Sequence, residues 1–280
     1  MKHHILIPTD FSDNAWSAAL YAINLYKNQS CTFYFMHAWS YINSGARTYV
    51  SPKEIDSLIE ISKEKLIEVK RRAETEFNNE NHEFKSIFTT DPLTDALRSA
   101  IKKHRIDLLV MGTKGATGAQ EFLLGSNAVT VINHVKSCPV LLIPKNYEYE
   151  TPSQIGFPTD FNRTYGRELM AIKKLIDLHN SDVNILHING MDKLSETQRT
   201  NFNILKEYLR NIPHTFYWKS DYSKKEQAIK DFIEENKINI LTMINYEHSF
   251  LEDFIKEPVV KKLGYHSAIP FLVVPQNNRV

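Results

Sequence analysis

Four of the nine glycines in this 280-residue chain, Gly112, Gly115, Gly118 and Gly125, lie within fourteen residues, in VMGTKGATGAQEFLLGSNA (110–128). The apolar run DLLVM ends at the first of them, and a helix-like segment, SNAVTVINHV, follows the last. A strand, a glycine loop and a helix start form a recurrent anion-binding arrangement. Free amides at the helix N-terminus point outward, the helix dipole favours negative charge, and glycine lets the backbone approach closely. Ser126 adds a hydroxyl donor. The loop is neither GxxxxGK[ST] nor GxGxxG, so it is not a Walker loop or a dinucleotide fingerprint. Asp10, at the end of HHILIPT, is the second polar candidate. Its use as a turn or helix-cap residue is as well motivated as its use as a ligand.

These residues need elements to hold them. HHILIPT reads as a short strand, and Ser12 as the cap of a helix from about 13 to 28. CTFYFMHAW (31–39) is a second strand, followed by the polar loop SYINSGARTYV. Ser51-Pro52-Lys53-Glu54 is a strong helix start, with Ser at the cap, Pro in the first turn and Glu three residues after Ser. EFKSIFTT is a third strand, DPLTDALRSAIKKHRI a third helix, DLLVM a buried strand and PVLLIP the last. Alternating strands and helices predict a mainly parallel sheet with helices on both faces.

The chain also repeats itself. ILIPTDF (5–11) recurs as IGFPTDF (155–161), and both Asp10 with Asp160 and His37 with His187 stand 150 residues apart. KSCPVLLIP (136–144) answers HSAIPFLVVP (266–275). Two tandem domains follow, 1–146 and 152–280, joined through KNYEYETPSQ (145–154). The second copy predicts strands IGFPT, VNILHI, HTFYWK, INILTMI and PFLVVP, with helices at 163–179, near 195–210, near 223–236 and near 254–264. After INILTMI it reads NYEHSFLEDFIKEPVVKKLG, without the glycines. Glu247 falls near the place of Gly115, and Lys256-Glu257 near Gly125-Ser126. Carboxylates and bulky side chains there oppose a phosphate. The persistence of PTDF where the glycines are lost gives Asp10 a partly structural role. It also makes a ligand the better reason for the four glycines.

The spacing Gly112-x2-Gly115-x9-Gly125-Ser126 resembles the nucleotide-binding motif of the universal stress protein family, G-x2-G-x9-G-[ST]. ILIPTDFSDNAWSAALYAI, FMHAW and SCPVLLIP look like that family's first strand and helix, second strand end and last strand. The resemblance extends over nearly the whole chain as two copies. It implies α/β domains, each a doubly wound five-stranded sheet of order 3-2-1-4-5, and an adenine nucleotide, ATP or AMP, beyond the ends of strands 1 and 4. Ligands of such sheets sit where the strand order reverses. By position, Pro8, Thr9 and Asp10 line the nucleoside side and Ala38 offers backbone groups to the base. Met111, Gly112 and Gly115 pass near ribose and phosphates, and Gly125, Ser126 and Asn127 receive phosphates. Mg2+ is an optional companion of ATP. Lys114 offers positive charge. Ala116 stands where family members often carry Arg, a departure that bears on the strength of phosphate binding.

Composition narrows the alternatives. A formal net charge of +1, with 42% hydrophobic and 24% charged residues, implies a sizeable core and no basic surface for nucleic acid. The KKHR run (102–105) reads as a solvated helix end. No apolar stretch approaches the roughly 20 residues that cross a bilayer, and the N-terminus does not read as a signal peptide. Cys31 and Cys138 lack a CxxC pattern, so neither a disulfide framework nor a cysteine zinc site is expected. His37 and His187 sit in different copies, which argues against a shared metal and for satisfied, partly buried rings. No GxSxG elbow is present. The expectation is a soluble cytoplasmic protein whose first domain binds nucleotide and whose second is a degenerate companion, acting by binding and signalling. The absence of a clear general base or metal-binding carboxylate pair beside the loop counts against turnover. A slow ATPase or phosphotransferase, and a nucleotide-free interaction scaffold, stay open. PVLLIP and PFLVVP are expected to pair as an intrachain pseudo-dimer, with a homodimer and an unknown protein partner as further assemblies.

Overall fold

Strands form where apolar residues run without interruption, and helices where a polar cap precedes a 3.6-residue apolar period. A computed structural model describes residues 2–40, 51–113, 125–220, 225–246 and 269–276. In the first half β1 (His3–Pro8), α1 (Asp13–Leu25), β2 (Cys31–Ala38), α2 (Pro52–Glu76), β3 (His82–Thr89), α3 (Leu93–His104), β4 (Leu108–Gly112), α4 (Ser126–His134) and β5 (Val140–Ile143) follow in order. The second half has β6 (Gln154–Pro158), α5 (Leu169–His179), β7 (Asp182–His187), α6 (Glu196–Tyr208), β8 (His214–Trp218), α7 (Lys225–Glu235), β9 (Ile240–Asn245) and β10 (Phe271–Pro275). The helix expected near 254–264 lies outside the described residues.

The ten strands make one sheet in the order β3-β2-β1-β4-β5-β10-β9-β6-β7-β8. Within each half every pairing is parallel. The halves meet at β5 and β10, which run antiparallel with Phe271 opposite Leu142 and Val273 opposite Val140. Period-two alternation sends Ile5 and Ile7 to the face covered by Ala18, Ala19 and Ala22 of α1. Leu6 goes to the opposite face with Leu97 of α3 and Val131 of α4. Both faces of the central strands are therefore buried, which is why those strands read as continuous apolar runs. Each buried Phe or Ile contributes roughly 1.5–3 kcal/mol.

Both predicted helix starts are capped as the residue types require. Ser12 Oγ accepts from Ala15 N. Ser51 and Glu54 form a reciprocal capping box, repeated in the second half by Ser195 and Gln198. Two helix bounds differ from expectation. The helix expected at 163–179 begins at Leu169, with no side-chain cap at Glu168. The preceding residues are held otherwise: the Tyr165 and Thr159 hydroxyls lie 2.7 Å apart, and Glu168 Oε1 accepts from Gly166 N at 3.0 Å. The α1 helix likewise ends at Leu25, not 28.

Beyond the β5–β10 pairing, polar contacts among the described residues join the halves. Lys174 Nζ lies 3.1 Å from Asp107, His179 Nε2 donates to Leu25 O at 2.9 Å, and Asn245 Nδ2 donates to Ile132 O at 3.2 Å. The connecting stretch is pinned to the first half by Tyr147 and Tyr149, whose rings stand 5.9 and 5.3 Å from Tyr21.

Candidate functional site

Strands β1 and β4 pair with Ile5 opposite Leu108 and Leu6 opposite Leu109. Their C-terminal ends therefore emerge side by side, with β2 beyond one and β5 beyond the other. This is the point of strand-order reversal, where α/β sheets leave a crevice. It brings Pro8, Thr9 and Asp10 to the same end of the sheet as Met111 and Gly112, with Ala38 at the end of β2 on the far side of β1.

The turn after β1 is tightly determined. Thr9 N donates to Met36 O at 2.8 Å, and Thr9 Oγ1 accepts from Phe11 N at 3.0 Å. Thr9 O is 2.8 Å from His37 Nδ1. A carbonyl only accepts, so Nδ1 carries the proton. Phe11 has a φ of 66°, and its ring lies 4.3 Å from that of His37. Asp10 Oδ1 accepts from Ser12 N at 3.1 Å and Ser12 Oγ at 2.5 Å, which orients the cap of α1. The second half repeats the device. His187 Nδ1 lies 2.9 Å from Thr159 O, Phe161 has a φ of 55°, and Asp160 accepts from Asn162 N at 2.9 Å. PTDF with its distant His is thus a turn that shapes the crevice floor. Both histidines are satisfied, as their residue type and context predict. Among the described residues no group of three or more His, Cys, Asp and Glu is placed to hold a metal ion.

On the β4 side Gly112 faces Asn14 of α1. A Cβ there would collide with Asn14 Nδ2 and stand 2.8 Å from its Cγ. Gly112 therefore has a packing reason as well as a place in the crevice, so at this position a ligand is not the better reason by itself. In the second half the register puts buried Ile244 in its position, opposite Val274 as Gly112 is opposite Ile143. The close helix approach is lost in the same half where α5 starts late.

Gly125 N donates to Thr113 O at 2.6 Å, so the glycine loop leaves and returns through a closed neck. Gly125 is then the N-cap of α4 and has no side chain to satisfy the first-turn amides. Ser126 and Asn127 are exposed in that turn. The donor set fits an anion. Gly115, with Lys114, Ala116 and Gly118, lies outside the described residues.

The two cysteines are buried and unpaired with each other, and burial pushes both thiols up to about 12. They stay protonated and unreactive at neutral pH. Sequence reasoning missed the partner of Gly112. The only signal was Asn14 in the first turn of α1, which does not announce a contact with a strand a hundred residues away.

The sequence model of the universal stress protein family matches residues 1–144, just over half of the chain. The chain belongs to the universal stress protein family. A universal stress protein of Methanocaldococcus jannaschii is 36% identical over 143 residues, covering 50% of this chain and 81% of that relative. The crystal structure of a universal stress protein from Archaeoglobus fulgidus superposes with a TM-score of 0.71 at 18% identity, over 98% of this chain and 97% of that one. A functionally unknown Pseudomonas aeruginosa protein gives a TM-score of 0.58 at 11% identity, over 98% of this chain and 92% of that one. Those two structures match the whole α/β architecture of this universal stress protein. No helix among the described residues is long and apolar enough to cross a membrane.

Proposed function

We propose that this universal stress protein binds an adenine nucleotide, ATP or AMP, in its first half and acts in a stress response by binding and signalling. The observation that carries the reading is the uncapped N-terminus of α4, held through the Thr113–Gly125 neck beside the ends of β1 and β4. Pro8, Thr9 and Asp10 would line the nucleoside, and the backbone of Ala38 would meet the base. Met111 and Gly112 would pass beside the sugar, and the amides of Gly125, Ser126 and Asn127 would take phosphate. Gly115 would extend that cradle. With ATP, Mg2+ would sit on phosphate oxygens and water.

In this reading the chain is two tandem units, 1–146 and 152–280, that form a cytoplasmic intrachain pseudo-dimer across β5 and β10. A homodimer or another protein would be a further partner. Mass spectrometry of the gently purified full chain tests the ligand, with isothermal titration of ATP and AMP. Co-purified nucleotide or saturable binding supports it; no binding of either at millimolar concentration sinks it.

A further inference from the structure

The second half carries a crevice of its own, at the C-terminal ends of β6, β7 and β9, where its strand order also reverses. Its volume is about 280 Å³, at the small end of the range for ligand pockets. Pro158, Leu186, Ile188 and Met243 supply apolar wall, and Thr159 and His187 supply polar floor. His187 is 5% exposed, and its Nδ1–H is committed to Thr159 O. Burial holds the imidazole below its ordinary pKa, against smaller raising effects from that hydrogen bond and from Asp160. The ring is neutral at pH 7, and Nε2 keeps its lone pair as an acceptor.

The rim differs from that of the first half in a way that selects against phosphate. Ile244 occupies the place of Gly112, so the backbone there no longer admits close approach. Asp160 lines the mouth as Asp10 does in the first half, whereas Tyr246 stands in the sequence place of Lys114 and donates to Glu168, outside the lining, at 3.0 Å. Among the lining residues Lys225 is the sole lysine, and it has interactions of its own. A neutral imidazole acceptor, the amides of Asn162, Asn189 and Gln198, and apolar walls suit a neutral, flat molecule that brings its own N–H or O–H donors. A phosphate chain would meet the Ile244 side chain where the first half offers a glycine backbone.

We propose that this crevice binds an unphosphorylated, nucleoside-sized heterocycle, giving the chain one site that reads phosphate and one that rejects it. The choice of heterocycle rests on the adenine-nucleotide reading of the first half, whose Thr–His floor this crevice repeats.

Trp218 makes the test local, because its ring lies 5.4 Å from that of His187. The chain has three tryptophans, so a full-length Trp16→Phe, Trp39→Phe variant leaves Trp218 as the only tryptophan. Adenosine should change its emission saturably, and AMP should act there at least tenfold more weakly. Ile188→Phe, which fills the crevice, should weaken the adenosine response at least tenfold and leave AMP uptake elsewhere in the chain intact. Should the double variant fail to fold, saturation-transfer NMR of adenosine on the wild-type chain, compared with Ile188→Phe, makes the same measurement. Trp218 emission unmoved by millimolar adenosine while AMP still binds elsewhere overturns this proposal alone, as does AMP matching adenosine at Trp218. An adenosine response at Trp218 with neither AMP nor ATP bound anywhere overturns the first-half reading and upholds this one.

Discussion

At the scale of single residues, the two halves act as a controlled comparison. Asp10 and Asp160 both orient the turn that follows them, and their recurrence in the sequence already indicated a structural share. Gly112 and Ile244 differ, and the difference is steric. A methyl at 112 drives into Asn14, whose backbone oxygen is also only 3.0 Å from the added Cβ. Overpacking a tight contact of this kind costs about 1–3 kcal/mol. Gly112→Ala should therefore lower the unfolding free energy by that amount, with a lower urea midpoint, even without nucleotide. An unchanged midpoint would mean that α1 moves away from β4 at no cost, and the packing role of Gly112 would be gone. The sequence showed that position 112 was a glycine at a strand end. It did not show that the reason was a helix contact, because the partner Asn14 is polar and lies nearly a hundred residues away.

At the scale of elements, strands and caps were legible and one helix start was not. Apolar runs bounded by Pro or Gly located the strands, because a sheet buried on both faces permits little else. Ser12 and Ser51 marked helix starts through a hydroxyl with a fixed job. For α5 the preceding residues RTYGRE (163–168) bring one apolar side chain, Tyr165, and a glycine, and the helix starts at Leu169 with no side-chain cap at Glu168. Tyr165 instead packs beside Phe157, with ring centroids 6.1 Å apart, and meets Thr159 through its hydroxyl. Tertiary contacts outweighed propensity over those six residues. The candidate anion site was legible as strand, glycines and helix start, and the α4 N-terminus gives it a separable test. A carboxylate in a first turn stabilises a helix by roughly 0.3–1 kcal/mol, yet it repels phosphate. Ser126→Asp should hold or raise the melting temperature and weaken AMP or ATP binding at least tenfold. Unaltered affinity by titration calorimetry would move the phosphates away from α4.

At the scale of the whole molecule, duplication was readable from PTDF and the paired proline-flanked strands. The pairing of PVLLIP with PFLVVP followed from them; the polar contacts that tie the halves together did not, because they join residues with no common motif. One of these contacts titrates. His179 donates from Nε2 to Leu25 O across the junction, and burial lowers its pKa more than that bond raises it. Burial is also the largest cause of the lowered pKa at His3, His82 and His187. A histidine whose pKa falls on folding binds protons more readily in the unfolded chain. Its stabilisation is complete above the unfolded value of about 6.5 and is lost as pH falls from there through the folded value, by at most about 1.4 kcal/mol per pH unit for each ring. Glu83 does not interfere in that window. Lys2 and Lys85 hold its carboxyl down to about 2, so its contribution is lost only below the ordinary carboxylate range. Urea unfolding should therefore show a less stable protein at pH 5.5 than at pH 7.5. His179→Gln keeps an N–H donor for Leu25 O but removes the titration, and should reduce that difference. Equal stability at the two pH values, or greater stability at pH 5.5, would show that these rings gain their protons in the folded state without penalty. The junction would then not be the acid-sensitive seam that its half-buried histidine makes it.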